Sequence, residues 1–322
     1  MQETKKEIKP ESLGKVVLLL GGMSSEREVS LMSGKGVYDA LTDAGVDVTR
    51  FDPKEQSISE LEKGGYDRAF IALHGRYGED GSIQGVLEYL GVPYTGPGVK
   101  TSAIAIDKNL TKQIWRERQI PCPKGMLVSP DSDLHFVMQE LGRDLVVKPA
   151  REGSSIGLTK LKDATVEDLR VAIEKAAVLD RHVLVEERIF GRELTVAVMG
   201  AGQDAKVLPI IEIIAPNGDY DYQNKYFTND VRYECPAKLS DDIREDISRA
   251  CLSAYRALGA RGWSRIDLIL ADDGSFSLLE MNTSPGMTAH SLVPLAAKNA
   301  GMSYQELVLQ ILSEARLDFA HS

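Results

Sequence analysis

The chain has 322 residues, of which 43% are hydrophobic and 27% charged, with a formal net charge of −10. That length supports two or three domains with well-buried cores, and the composition is that of an ordinary globular protein. The acidic excess excludes a general nucleic-acid binder, whose phosphate contacts demand surplus Lys and Arg, and no apolar run approaches the roughly 18 residues of a membrane span.

The opening MQETKKEIKPESLG lacks the apolar centre of a signal peptide, so residues 1–15 are expected to form a charged, flexible extension. Residues 16–20 are a continuous apolar run, fit for a strand buried on both faces. A helix is predicted over 26–44, with Ser25 and Glu28 spaced as a capping box. Strands at 46–51 and 68–73 and a short helix at 83–90, ended by Gly91, complete a βαβ rhythm. Such a rhythm implies a parallel sheet whose working face lies at the carboxyl ends of its strands. The pattern changes near Asp107, where a helix over 108–118 stops before Pro121. Strands at 145–148 and 157–161 then flank a Gly/Ser loop, followed by a helix at 166–178 and a strand at 183–187. From Gly191 onward the reading is mostly β, with strands at 194–199 and 205–214, a hairpin, and helices at 243–258 and 303–314. Boundaries are expected near 106 and 190, giving an N-terminal α/β domain (16–106), a central subdomain (107–190) and a C-terminal subdomain (191–322). Cys122, Cys235 and Cys251 are odd in number and scattered, which fits a reducing cytoplasm better than a disulfide framework.

The segment GWSRIDLILADDGSFSLLEMNTSPG carries the densest chemistry. Strands at 265–270 and 276–282 flank Asp273-Gly274, a strong hairpin signal. A turn centred on that pair sets Asp267 opposite Glu280 and Arg265 opposite Asn282. A two- or four-residue loop gives this same register, whereas a three- or five-residue loop shifts it by one. Two facing carboxylates repel, so a proton, a cation such as Arg265 or a bound metal must compensate. Asp, Glu and Asn offer hard oxygen donors that suit Mg²⁺ together with substrate phosphates. The plain alternative is a solvated hairpin face with a weak surface ion pair.

Other signals are individually slight. The loop PAREGSSIG after Lys148 lets backbone approach an anion, although it is neither a Walker A loop nor a dinucleotide fingerprint. Lys108 and Lys148 are candidate phosphate partners that singly read as surface charges. In VLVEERIFGREL, Glu186 and the next backbone groups are placed to bond an adenine edge, and Glu193 to take ribose hydroxyls. Glu26 starts a helix just past a glycine turn, where simple helix-dipole compensation is the plain reading. His74 ends a strand beside glycines. No GxSxG elbow and no Ser–His–Asp or Cys–His arrangement supports covalent hydrolase chemistry.

Taken in order, LLLGGMSSEREVSLMSG, IALHGRYGEDGSIQGVLEYLGVPYTG, VVKPAREGSSIG, DYQNKYF, GWSRIDL and LLEMNTSPGMTAHSLVP resemble the D-alanine–D-alanine ligases of the ATP-grasp superfamily. The resemblance runs over nearly the whole chain, from about residue 16 to 314. It implies a three-domain α/β and α+β architecture, with ATP between the central and C-terminal subdomains. It also implies phosphorylation of one D-alanine carboxylate and attack on the acyl phosphate by a second D-alanine.

Residue by residue, the resemblance implies that Glu26 holds the first ammonium, with His74 nearby and Ser154 and Tyr226 bonded into the same set. Lys108, Lys148 and Ser155 would serve the ATP phosphates, and Glu186, Ile189 (by backbone) and Glu193 the adenosine. Asp267, Glu280 and Asn282 match a site for two Mg²⁺ ions, with Mn²⁺ as a substitute. Arg265 and the Gly286 N–H resemble oxyanion stabilisers, and Lys225, Ser291 and the Leu292 N–H the anchor for the second carboxylate. The residue after the adenine-side glutamate is often Lys in this family, but here it is Glu187, which bears on ATP affinity. A lid is expected over 215–235, because an acyl phosphate must be shielded from water. A cytoplasmic homodimer without nucleic-acid or membrane partners is expected. Two alternatives stand beside this reading: a ligase taking D-lactate or D-serine second, and a non-catalytic nucleotide-binding module. The intact Asp267, Glu280, Asn282 and Arg265 set argues against the module.

Overall fold

A computed structural model describes residues 8–216 and 231–319. The first part is a three-stranded parallel sheet ordered β2-β1-β3, formed by Val16–Leu19 (β1), Val48–Phe51 (β2) and Arg68–Ile71 (β3). The central β1 is apolar throughout because both its faces are covered. Around the sheet lie helices Arg27–Asp43 (α1), Glu60–Lys63 (α2), Ser82–Leu90 (α3) and Val99–Ile106 (α4). Gly91 closes α3 in the left-handed conformation, φ 67°, which glycine adopts without steric cost. The capping box expected at Ser25 and Glu28 does not form. The N-cap of α1 is Glu26, whose side chain bonds elsewhere and makes no cap bond. Ser24 takes over locally, accepting from the Glu26 N–H at 3.2 Å and donating to the His74 carbonyl at 2.7 Å.

Next comes a helix, Lys108–Glu117 (α5), capped by the Asp107 carboxylate on the Leu110 N–H at 3.0 Å. A four-stranded antiparallel sheet follows, ordered β4-β7-β5-β6. Its strands are Gly125–Val128 (β4), Leu145–Pro149 (β5), Thr159–Leu161 (β6) and Val183–Glu187 (β7). Helices Leu134–Leu141 (α6) and Val166–Ala177 (α7) cover one face, with Val137, Leu169 and Ile173 in the shared core. Sequence periodicity missed β4, α6 and α4. The four residues of β4 sit among prolines that read as loop, and α4 is separated from α5 by Asp107 alone.

The third part is a six-stranded antiparallel sheet whose main path is β11-β10-β8-β12-β13. It is made of Arg192–Met199 (β8), Lys206–Val207 (β9), Ile211–Ile214 (β10), Arg232–Glu234 (β11), Trp263–Leu270 (β12) and Phe276–Asn282 (β13). The single strand expected over 205–214 is interrupted: β9 and β10 both pair with β8, separated by a break containing Pro209. Proline has no N–H to donate to a ladder, so the break falls there. Asp241–Ala257 (α8) packs Ile247, Cys251 and Tyr255 against β8 and β12. Leu292–Asn299 (α9) and Tyr304–Ser313 (α10) turn back to the parallel sheet. One apolar cluster therefore joins Val16, Leu18 and Val37 to Met287, Val293 and Leu307.

The β12–β13 hairpin pairs Asp267 with Glu280 and Arg265 with Asn282, as expected, but by a different route. Ala271 accepts from Gly274 N–H at 3.0 Å and donates to Ser275 O at 2.8 Å, so the loop is the three residues Asp272-Asp273-Gly274, with Gly274 at φ 88°. That is a turn ending in a left-handed glycine, and it shifts the register by one near the loop. An irregularity between Asp267 and Leu268 leaves Leu279 without a partner and shifts it back.

Candidate active site

A cleft of about 790 Å³ opens between the four-stranded and six-stranded sheets. Lys108, Lys148, Ser155, Glu186 and Ile189 line it, and Glu193, Asp267 and Glu280 line it from the six-stranded sheet. Each arrives by ordinary local structure. Lys148 and Glu186 are the penultimate residues of the adjacent antiparallel strands β5 and β7, Glu193 lies on β8, and Lys108 opens α5. The Lys108 ammonium donates to the Glu152 carbonyl at 2.6 Å and lies 3.5 Å from Glu280 Oε2. It therefore connects the two walls.

Glu186 is buried and held from both sides. Lys148 Nζ is 2.7 Å from its Oε2, and Lys112 bonds its Oε1. Burial opposes the Glu186 charge, but the two lysines outweigh it and hold the pKa below its ordinary value. Burial also opposes the Lys148 charge, yet Glu186 and Glu280 raise its pKa. Lys112 is taken down to about 8, burial outweighing Glu186 while Lys148 adds repulsion. Sequence reading missed Lys112. Its signal was the four-residue spacing from Lys108, which puts both on one helix face with buried Thr111 and Trp115. Glu187 also lines the cleft, and its carboxylate accepts the Lys124 N–H at 2.8 Å.

On the other wall, Asp267 is fully engaged. Arg265 grips it with Nε at 2.9 Å and Nη2 at 2.8 Å, Thr195 donates at 2.5 Å and Asn282 Nδ2 at 3.1 Å. Arg265 thus supplies the compensating cation that two facing carboxylates require, and Thr195 is a second partner that sequence reading missed. The three candidate metal ligands, Asp267, Glu280 and Asn282, lie together on β12 and β13. Their donors are all hard oxygens, which fits a small divalent cation bound alongside phosphates.

A second group of candidates gathers at the loop that follows β5. There Ser154 donates to the Glu26 carboxylate while the adjacent Ser155 lines the cleft. Both serines hold positive φ, 52° and 59°, a conformation costly for residues with a Cβ and concentrated at functional sites. The Glu26 carboxylate is also hemmed in by glycines: a Cβ on Gly153 would sit 2.6 Å from its Oε2, and one on Gly75 2.8 Å. His74 is buried beside it, its Nδ1–H donating to the Ser284 carbonyl at 2.8 Å and its Nε2 3.1 Å from Ser33 Oγ. Burial disfavours the imidazolium, but Glu79 at 3.6 Å and then Glu26 outweigh that and raise the His74 pKa. The loop after β13 brings Gly286 against Ser291, whose Oγ a Cβ on Gly286 would approach to 3.0 Å. Ser291 is the N-cap of α9 but makes no side-chain cap bond; its hydroxyl accepts the Thr288 N–H at 3.0 Å. Leu292 is the first residue of α9, where a backbone N–H has no partner within the helix. Lys225, Tyr226 and most of the expected lid lie outside the described residues.

Residues 123–313 match the family model for the D-ala D-ala ligase C-terminus, and residues 49–97 that for its N-terminus. The D-alanine–D-alanine ligase of Cupriavidus pinatubonensis is 54% identical over 97% of this chain and 95% of its own. The chain belongs to the D-alanine–D-alanine ligase family. The ligase of Delftia acidovorans is likewise 54% identical, over 98% of this chain and 96% of that one. Among solved structures, the D-alanine–D-alanine ligase of Bacillus anthracis superposes with TM-score 0.81 at 33% identity, covering 94% of this chain and 97% of that one. The VanG D-Ala:D-Ser ligase of Enterococcus faecalis gives 0.79 at 29% identity, covering 93% and 98%. The fold, mixed α/β with one parallel and two antiparallel sheets, is thus that of this ligase family, and the chain is an enzyme of it. Among the described residues, no helix is long and apolar enough to cross a membrane.

Proposed function

We propose that this chain joins two D-alanines into D-alanyl-D-alanine at the expense of ATP, through a D-alanyl phosphate, and so supplies peptidoglycan precursor synthesis. The observation that carries the reading is the pair Ser154 and Ser155. One tight turn bonds the Glu26 carboxylate with one serine and lines the lysine-bearing cleft with the next. In this reading Glu26 binds an ammonium beside a phosphate-binding surface, an arrangement that a carboxylate phosphorylation requires.

In this reading Glu186, the Ile189 backbone and Glu193 take the adenosine, while Lys108, Lys148 and Ser155 take the phosphates. Glu26 holds the ammonium of the first D-alanine, with His74 beside it. A carboxylate oxygen of that D-alanine attacks the γ-phosphorus; the new O–P bond replaces the bond to ADP, which departs. Lys225, the Ser291 hydroxyl and the Leu292 N–H anchor the second D-alanine by its carboxylate. Its amine, after losing a proton, attacks the acyl carbon. Arg265 and the Gly286 N–H stabilise the resulting oxyanion, and collapse expels phosphate carrying the former carboxylate oxygen. Tyr226 joins Ser154 and Glu26 in holding the lid over the intermediate. Asp267, Glu280 and Asn282 would hold two Mg²⁺ ions, or Mn²⁺, which supply charge neutralisation between the anionic reactants. The enzyme acts as a cytoplasmic homodimer without nucleic-acid or membrane partners.

The test is a panel of second substrates with purified protein, ATP and Mg²⁺. D-alanine alone is expected to support ADP release with dipeptide formation. L-alanine is expected to support neither. D-lactate or D-serine outcompeting D-alanine as the second substrate would reassign the specificity, and ADP release independent of any D-amino acid would remove the ligase reading.

A further inference from the structure

We propose that Lys112 is a positioning residue of the nucleotide cleft: it neutralises Glu186 from the protein interior and so leaves Lys148 to engage an ATP phosphate. The inference rests on the reading of Lys148 as a phosphate partner and Glu186 as an adenosine partner. Three observations support it. Lys112 is wholly buried, and among the described residues lining the cleft are Lys148 and Glu186 but not Lys112, so it reaches Glu186 from behind. Its ammonium bonds Glu186 Oε1, while Lys148 is 2.7 Å from Oε2, so each lysine takes a different carboxylate oxygen. The glutamate is fixed between them by its β4 neighbour: Gly125 pairs with Glu186, and a Cβ there would sit 2.9 Å from Glu186 Cγ.

The charge count gives the arrangement its meaning. Glu186 with Lys148 alone would be a neutral pair, and Lys148 would be held by its carboxylate. Burial strengthens such an attraction, because little water screens it. Adding Lys112 makes the trio net cationic and lets Glu186 stay ionised while Lys148 turns towards an incoming anion. A buried ammonium without a partner is strongly disfavoured, so Lys112 and Glu186 each depend on the other to stay charged.

The test is a double-mutant cycle on binding of a non-hydrolysable ATP analogue, with thermal melting to verify folding. Lys112→Met is expected to weaken binding by about 10–100-fold, the range for a charge-assisted hydrogen bond. Glu186→Gln is expected to weaken it less. The double variant K112M/E186Q should bind like Glu186→Gln alone, because the charge that Lys112 neutralises is gone. Losses that simply add, or Lys112→Met binding like the parent, would overturn the proposal. If Lys112→Met does not fold, the double variant carries the test, and weaker binding than Glu186→Gln alone overturns the proposal there too. Lys148→Met separates the two levels. Unaltered binding by that variant would overturn the phosphate reading itself, whereas weakened binding with an unaffected Lys112→Met overturns only the role of Lys112.

Discussion

Replacing Glu280 with Gln, or Asp267 with Asn, is expected to lower ADP formation by on the order of 10³-fold. Each change removes one anionic oxygen donor from the paired carboxylates of β12 and β13 while preserving side-chain shape. The fold should survive. Asp267 is held by Arg265, Thr195 and Asn282, and an amide in its place retains an acceptor for Arg265 or Thr195. Glu280 lies at the cleft wall, 3.5 Å from Lys108, and its loss of charge leaves that ammonium with the Glu152 carbonyl. Measured at saturating ATP over a Mg²⁺ titration, both variants should remain impaired with a near-parental melting temperature. Parental turnover by Glu280→Gln at modest Mg²⁺ would remove Glu280 from the metal assignment.

Arg265→Met is expected to lower kcat by about 10²–10³-fold, with a much smaller change in the KM for ATP, as for loss of one oxyanion donor. Its bidentate grip on Asp267 sharpens this expectation. If Arg265 served only to neutralise and orient Asp267 beside Glu280, saturating Mg²⁺ would supply that charge while Thr195 and Asn282 hold the carboxylate, and turnover there would fall little. A large kcat effect therefore reports on charge developing in the transition state. A change confined to KM would make Arg265 a ground-state binding residue. Lysine is not an adequate substitute, since it lacks the planar fork that meets both carboxylate oxygens.

The strands were legible where their apolar runs are continuous, as in β1, whose every residue is buried. The facing of Asp267 and Glu280 was also legible, although the three-residue loop and the irregularity near Leu268 cancel, and neither was foreseen. Turn identity depends on which residue takes the left-handed conformation, and Asp273-Gly274 is compatible with more than one loop length. Less was readable where tertiary context decides. Glu26, not Ser25, is the N-cap of α1, and its carboxylate bonds Ser154, 128 positions away, instead of capping the helix. The split of β9 from β10 was readable in principle from Pro209. Lys112 and Thr195 look like ordinary surface-type residues in a linear chain, and only the packing of α5 on β7 and of β8 on β12 reveals their partners.

The most direct test of the account follows oxygen. With D-alanine labelled by ¹⁸O in its carboxyl group, an acyl phosphate intermediate requires that the phosphate released with each dipeptide carry one labelled oxygen. That transfer is expected, with ADP, phosphate and D-alanyl-D-alanine formed in equal amounts. Unlabelled phosphate accompanying dipeptide formation would contradict it.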